Sequence, residues 1–343
     1  MKKIKIAHIH VWDQKNKGDR AIVLAVQELL RSEFLDCEIC NYPVEILKEY
    51  DEENIQRINE CDFVIIGGGG IFYSYFLPFN NQVIDSISIP IYLFGLGYIK
   101  EVDAPEWNKE NISSVLNLVN KAKRVGVRDY NTKKFLVANH IFGEHIEVIG
   151  DPAICLTEKE NNKIDLSYPI KIGLNLNYSG WLGFGKWRED ILNAYREVAL
   201  FFQQEYQAQI YYIKHHPGED NIYKELKINN LIVVDLDPNE QKYVYSHLDL
   251  IIGMMLHVGV LSVGATTPEI SVAYDIRNYG FVEFIDHKEL VIDLDKLKTG
   301  ILLERAKKVF KKRKEYMEEF KVIKENICQT EKRFLSLIKA DIL

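Results

Sequence analysis

One histidine, His257, stands where the apolar run "LDLIIGMML" meets the small-residue stretch "VGVLSVGATT". A strand turning into a helix there would place it near the helix N-terminus, where the positive end of the dipole favours the neutral imidazole. A neutral imidazole takes a proton as a general base, and its protonated form returns one as an acid. A lone histidine in an apolar setting also serves structure alone. A second group is Lys214, His215 and His216 in "YIKHHPGED", three basic side chains at a strand end before Pro217. A third is "GVRDYNTKKFL", where Arg128 can grip a phosphate or carboxylate with two parallel hydrogen bonds, or else form an ion pair while Asp129 caps the next helix.

Two further loops offer backbone rather than side chains. In "GGGGIF", Gly67, Gly68, Gly69 and Gly70 follow a buried strand. Bare backbone permits positive φ and a close approach, and its amides can cradle a phosphate or carboxylate at the start of the next helix. Without G-x-G-x-x-G spacing or a following Lys-Ser/Thr pair, neither of the common nucleotide fingerprints is present. A tight strand-to-helix crossing is the plainer reading. In "NKGDRAI", Gly18 and Asp19 lie between a strand and a helix, and Asp19 reads as an N-cap or as a carboxylate facing a ligand. "GDPA", ending at Ala153, closes another strand and can reach the same place.

Elements that could hold these loops alternate along the chain. "IKIAHIHVW", "DFVIIGGGG", "IPIYLFGLG", "RVGVRD" and "IEVIGD" read as strands, and "GDRAIVLAVQELLRSEF" as an amphipathic helix. The polar stretch "LTEKENNKIDLSYP" has no periodicity and reads as a linker. A second set follows: "IKIGLNLNY", "AQIYYIKHH", "LIVVD", "LDLIIGM" and "PEISVAYD" as strands, "WREDILNAYREVALFFQQEY" as a helix. Short apolar strands alternating with helices indicate parallel sheets covered on both faces. The expected fold class is α/β: two doubly wound Rossmann-like domains facing across a cleft, over residues 1–160 and 166–300, with a charged helical region over 301–343 that packs back across them. Ligands of such sheets bind beyond the C-terminal strand ends, where all the loops above fall.

Composition narrows the partners. With 343 residues, 47% hydrophobic and 27% charged, the chain is globular and long enough for two cores. A formal net charge of −7 gives no global attraction to nucleic acid or an anionic membrane, so an anionic substrate needs a local basic site. No stretch approaches the ~20 apolar residues of a membrane span. The N-terminus alternates rather than forming a signal peptide, which predicts a cytoplasmic protein. The five cysteines lack framework spacing, and "CEIC" reads as packing cysteines in a strand.

Taken together, "NKGD", "FVIIGGGGIF", "GLG", "VGVRD", "VIGDPAI", "LIIGMMLH" and "ISVAYDIRNYGF" resemble, in order, the polysaccharide pyruvyl transferase family. The resemblance implies a glycosyltransferase-B-type fold and transfer of a pyruvyl unit from phosphoenolpyruvate to a sugar, forming a ketal across two hydroxyls and releasing phosphate. It implies acceptors among cell-surface polysaccharides or their lipid-linked precursors, with no cofactor and no metal. The family's usual Arg-Leu-His is here Met255, Leu256 and His257. Methionine carries no charge and donates no hydrogen bond, and losing such a contact costs about 2–4 kcal/mol. Arg277, where the family often has a lysine, keeps one cation. On this reading Arg128 and Arg277 bind the donor's phosphate and carboxylate, the glycine segment approaches either substrate, and His257 moves the proton. Two alternatives use the same residues. One is a nucleotide-sugar glycosyltransferase, in which the His-Pro step contacts the nucleotide, as in several glycosyltransferase families, and Asp19 is the base. The other is a glycan-binding homologue that lacks the donor site.

Overall fold

The computed structural model describes residues 3–100, 105–141, 146–177, 185–297 and 300–343. They divide into two compact units, one comprising residues 1–13, 22–152 and 327–343, the other residues 14–21 and 153–326. The linear ranges 1–160, 166–300 and 301–343 contain no such interchange. Its cause is that residues just after the first strand and those at the chain end each pack on the unit remote from them in sequence.

The first unit is built on a six-stranded parallel sheet. Its strands are β1 (Lys5–His10), β2 (Glu38–Pro43), β3 (Phe63–Tyr73), β4 (Ile91–Ile99), β5 (Arg124–Val127) and β6 (Ile146–Val148). They lie in the order β2-β1-β3-β4-β5-β6. Helices α1 (Lys17–Glu33), α2 (Glu52–Asn59), α3 (Asn81–Ser86), α4 (Lys109–Lys121) and α5 (Tyr130–Ala138) connect them. Because the helices cover both faces, the central strands are apolar throughout: Phe63, Val64, Ile65 and Ile66 are all fully buried.

The glycine segment departs from expectation. β3 does not end at the glycines; it runs on to Tyr73, and the next helix begins only at Asn81. Gly67 and Gly69 stay in register with Phe94 and Leu96 of β4. The glycines are required because the neighbours are close. A Cβ on Gly67 would lie 2.1 Å from the Phe94 carbonyl oxygen, and one on Gly70 2.1 Å from Ile99 Cδ1, while Gly69 has φ +90°.

The second unit repeats the architecture. Its strands are β7 (Lys171–Leu174), β8 (Gln209–Ile213), β9 (Ile232–Val234), β10 (Leu250–Gly253), β11 (Glu269–Ala273) and β12 (Val291–Asp293). They are parallel, in the order β12-β11-β10-β7-β8-β9. Its helices are α6 (Gly185–Tyr206), α7 (Pro238–Tyr245), α8 (Leu256–Gly264), α9 (Ile276–Phe284), α10 (Ile301–Lys311) and the first part of α11 (Arg313–Ile342). Tyr178, the last residue of the expected strand "IKIGLNLNY", lies outside the described residues. The stretch read as a linker is tied to this unit: Lys159 N–H donates to the Asn239 carbonyl (3.1 Å), and the Tyr211 hydroxyl to that of Asp165 (2.6 Å). No described helix is long and apolar enough to cross a membrane.

In each sheet the first strand is flanked on one side by its successor and on the other by a later strand, which creates a topological switch point. In the first unit it falls between β1 and β3, in the second between β7 and β10.

Candidate functional site

In the second unit the switch point is fixed by one amide. Asn175, just past β7, donates from Nδ2 to the Ile213 carbonyl (2.9 Å) and to Glu219 Oε2 (3.1 Å), and its Oδ1 accepts from Met255 N–H (3.2 Å). One side chain thus ties the ends of three neighbouring strands. Met255 is the N-cap residue of α8 and supplies no side-chain cap, so the Asn175 contact replaces part of what a polar cap would do. His257 follows in the first turn of α8.

The "NKGD" loop belongs to this unit and lies against His257. A Cβ on Gly18 would come 2.3 Å from His257 Nδ1 and 2.6 Å from its Cγ, so only glycine lets the backbone rest on the imidazole. The helix cap here is Asn16 rather than Asp19. Asn16 Oδ1 accepts from Gly18 N–H (2.9 Å) and Asp19 N–H (3.4 Å), and α1 starts at Lys17. Asp19 therefore lies inside the first turn, where its charge complements the dipole. Its field reaches Arg277. Burial disfavours the Arg277 charge, but Asp275, Tyr274 and Asp19 more than restore it and push the pKa above its usual value. Asp275 caps α9 through Arg277 N–H (2.8 Å) and also holds Arg277 Nη2 (2.8 Å). Arg277 Nε makes no hydrogen bond to any described residue.

Loop docking also uses residues that the sequence did not single out. Lys17 N–H donates to the His215 carbonyl (3.0 Å), and its ammonium pairs with Asp235. Lys214 binds the other Asp235 oxygen (2.8 Å) and Asp220 (2.6 Å). Burial is the largest influence on Lys17 and, with help from Lys214, leaves its pKa lowered despite Asp235; hydrogen bonds to Asp220 and Asp235 outweigh burial for Lys214 and raise its pKa. Lys17 and Asp235 are 218 residues apart, so no local pattern announces the pair.

The two histidines of "KHHP" differ. His215 is fully buried, its Nε2 2.7 Å from the Tyr245 hydroxyl, and burial followed by the Lys17 charge lowers its pKa to about 3. His216 caps the turn at Pro217, its Nδ1 accepting from Gly218 N–H (2.9 Å). Glu219 braces both from inside. It accepts from His215 N–H (2.8 Å), His216 N–H (2.6 Å) and the Tyr212 hydroxyl (2.8 Å). Burial raises its pKa to about 8 against the pull of these donors. Of the loops read from sequence, this unit brings Gly18, Asp19, His257, Arg277, Lys214, His215 and His216 to the same C-terminal edge of one sheet.

The first unit holds Arg128 and the glycines. Arg128 follows β5, and its guanidinium lies flat against the β4 backbone, where a Cβ on Gly97 would meet Nη2 at 2.4 Å. Its Nε contacts Asp129 Oδ2 (3.2 Å), and its Nη1 lies 3.6 Å from Asp151. Asp129 also caps α5 through Thr132 N–H (2.7 Å). Ion pairing and capping thus occur together and hold the guanidinium still. Its buried Nη2 makes no hydrogen bond to any described residue, which leaves a fixed donor for a ligand oxygen. Gly68 packs under Ile22 and Pro152, so the "GGGG" and "GDPA" segments touch.

Residues 16–276 match the family model for polysaccharide pyruvyl transferase. No curated protein matches the chain. Solved structures share its fold at low identity. MnaA of S. aureus with UDP has a TM-score of 0.63 at 13% identity, covering 100% of this chain and 97% of that one. UDP-GlcNAc 2-epimerase of Methanocaldococcus jannaschii, in complex with UDP-GlcNAc and UDP, has 0.60 at 13%, covering 99% and 100%. Anabaena HepE with UDP and glucose has 0.57 at 11%, covering 98% and 100%. These likenesses assign a glycosyltransferase-B-like α/β fold.

Proposed function

Because the chain belongs to the polysaccharide pyruvyl transferase family, we propose that it transfers the pyruvyl group of phosphoenolpyruvate to two hydroxyls of a sugar, in a cell-surface polysaccharide or its lipid-linked precursor. The observation that carries this reading is the contact of Gly18 with the His257 imidazole, which joins two family motifs from opposite ends of the matched region.

The chemistry balances without a cofactor. The first sugar hydroxyl adds across the donor's C=C bond: its oxygen bonds to C2, and C3 gains a proton to become a methyl group. The second hydroxyl then forms its C2–O bond as the C2–O bond to phosphate breaks, and its proton leaves with the phosphate or with a base. His257 is the proton-transfer group, which takes a proton from an attacking hydroxyl and delivers one toward C3. Asp19, close enough to act on Arg277, is a second base, a carboxylate, at the same edge. Arg277 in the second unit and Arg128 in the first are each a candidate cationic contact for the donor, each with a guanidinium nitrogen that no described residue occupies. Lys214 adds positive charge, His215 and His216 shape its loop, and Gly67, Gly68, Gly69 and Gly70 let a substrate approach the β3 backbone. Met255 removes one cation from this set. The protein works in the cytoplasm, without nucleic-acid partners or stable membrane insertion.

A second reading draws on Met255 and on UDP in the solved structures of the same fold: a nucleotide-sugar transferase with the His216–Pro217 turn at the nucleotide. A thermal-shift titration separates the two. The panel is phosphoenolpyruvate, UDP, CMP and GDP, with inorganic phosphate as the anion control. Phosphoenolpyruvate at ~100 times its dissociation constant stabilises the fold by ~2.7 kcal/mol, a rise of a few degrees. Arg128→Ala abolishes that rise. A shift with a nucleotide and none with phosphoenolpyruvate transfers the assignment to the second reading.

A further inference from the structure

Asn175 is the first residue beyond β7 and is wholly buried. Burying an amide is costly unless its polar atoms are paired. The backbone on both sides fixes which way this amide points. The Ile213 carbonyl only accepts, so it faces Nδ2; the Met255 N–H only donates, so it faces Oδ1. The second Nδ2 hydrogen goes to Glu219, which is also wholly buried. Glu219 in turn receives His215 N–H and His216 N–H at Oε1, and the Tyr212 hydroxyl and Asn175 at Oε2. Two donors on each oxygen use up what a carboxylate can accept, so this group is spent inside the protein.

Both supports of His257 lead to the same segment. The helix that carries the ring, α8, is held at Met255, two residues before His257, by Asn175 (3.2 Å). The Gly18 backbone rests on the ring, and its neighbour Lys17 donates N–H to the His215 carbonyl (3.0 Å) while its ammonium pairs with Asp235. The end of β8, from Ile213 to His216, therefore anchors the helix through Asn175 and the loop through Lys17. A buried network in which every member is paired moves as one piece, so a change at one end is felt at the other.

Resting on the pyruvyl-transfer reading, we infer that Asn175 and Glu219 are positioning residues for the reaction, which set where His257 stands by tying the α8 N-terminus to the end of β8. The first test reads the imidazole itself and needs no substrate. The full chain is labelled with nitrogen-15 histidine, and two-bond nitrogen–proton spectra are recorded against pH, with His257 identified by its loss in His257→Ala. Asn175→Leu keeps the branched shape of the side chain and none of its three hydrogen bonds. It shifts the His257 signals and the pH at which they titrate. The signals of His287, which contacts Glu289, Tyr316 and Phe320 in the same unit, stay where they are. In turnover assays Asn175→Leu lowers kcat about 10²-fold, with the phosphoenolpyruvate KM changed less than about threefold. Exchanging the two groups, Asn175→Asp together with Glu219→Gln, again sets a donor against an acceptor between them and recovers about tenfold or more of that loss. Circular dichroism checks that the variants fold.

His257 signals unmoved by Asn175→Leu, His287 signals that move along with them, or an exchanged pair that recovers nothing overturns the assignment. The two claims fail separately. An imidazole displaced by Asn175→Leu in a chain that consumes no phosphoenolpyruvate would leave Asn175 as the support of His257 and remove pyruvyl transfer. Phosphoenolpyruvate turnover with the same kcat in Asn175→Leu would do the reverse.

Discussion

Gly18 and His257 touch with no room for a methyl group between them, and this makes the contact open to direct trial. Alanine is the better helix former by ~1 kcal/mol, so Gly18→Ala would ordinarily stabilise the start of α1. Here the added carbon displaces the imidazole instead. Misplacement by about an ångström costs about 10²-fold in rate, so kcat should fall by that factor while donor binding persists. His257→Ala should lose roughly 10²- to 10⁴-fold in kcat with its circular dichroism intact. Met255→Arg is the complementary gain. A charged hydrogen bond to the donor is worth ~1.5–3 kcal/mol, so the phosphoenolpyruvate KM should fall tenfold or more. An unchanged KM would mean that the α8 N-terminus does not face the donor. His8 and His215 make a prediction about pH. Burial holds both pKa values at about 3, against 6.5 for the free side chain. The unfolded state therefore gains protons below pH 6.5 that the folded state refuses until about pH 3. Stability falls across that window by up to ~1.4 kcal/mol per pH unit for each histidine. His215→Asn should flatten part of this slope in melting curves recorded from pH 7 down to pH 4.

At the scale of elements, what could be read from sequence followed period and length. "IKIAHIHVW", "IPIYLFGLG" and "LDLIIGM" announce strands because they are short, apolar and bounded by breakers, and the structure has β1, β4 and β10 there. β12 (Val291–Asp293) was not singled out from the sequence, although the equally short β6 and β9 were. The glycines of β3 misled for a physical reason. Glycine is the usual mark of a strand's end, yet here it allows a long strand to pass close to Phe94 and Ile99. The site was legible only in part. His257 and Arg128 could be located by their element boundaries, but the Lys17–Asp235 pair and the Asn175 tie depend on the fold to bring distant residues together. The chain end illustrates the same point. Its charged sequence reads as a helix that packs back on the body of the protein but does not name the contacts, in which Phe334 is fully buried against Phe94 (5.9 Å) and Asp341 pairs with Arg124 (2.6 Å). Phe334→Ala should cost ~3–5 kcal/mol, and removing residues 327–343 should cost more, read as loss of cooperative melting. A Phe334→Ala variant that melts like the wild type would remove this helix from the first unit's core.

For the whole molecule, the central claim is that a protein of net charge −7 uses a highly anionic donor, through fixed guanidinium N–H donors rather than through an excess of local positive charge. That claim is tested most directly by following both products of one reaction. The chain is incubated with phosphoenolpyruvate labelled with carbon-13 at C2 and with a panel of pyranosides and oligosaccharides. Carbon NMR follows the ketal carbon, and phosphorus NMR follows inorganic phosphate. The account predicts ketal and phosphate in equal amounts, formed only when a sugar is present and lost in His257→Ala. Phosphate released without ketal, or a donor left intact while a nucleotide sugar is consumed on the same acceptors, would contradict it.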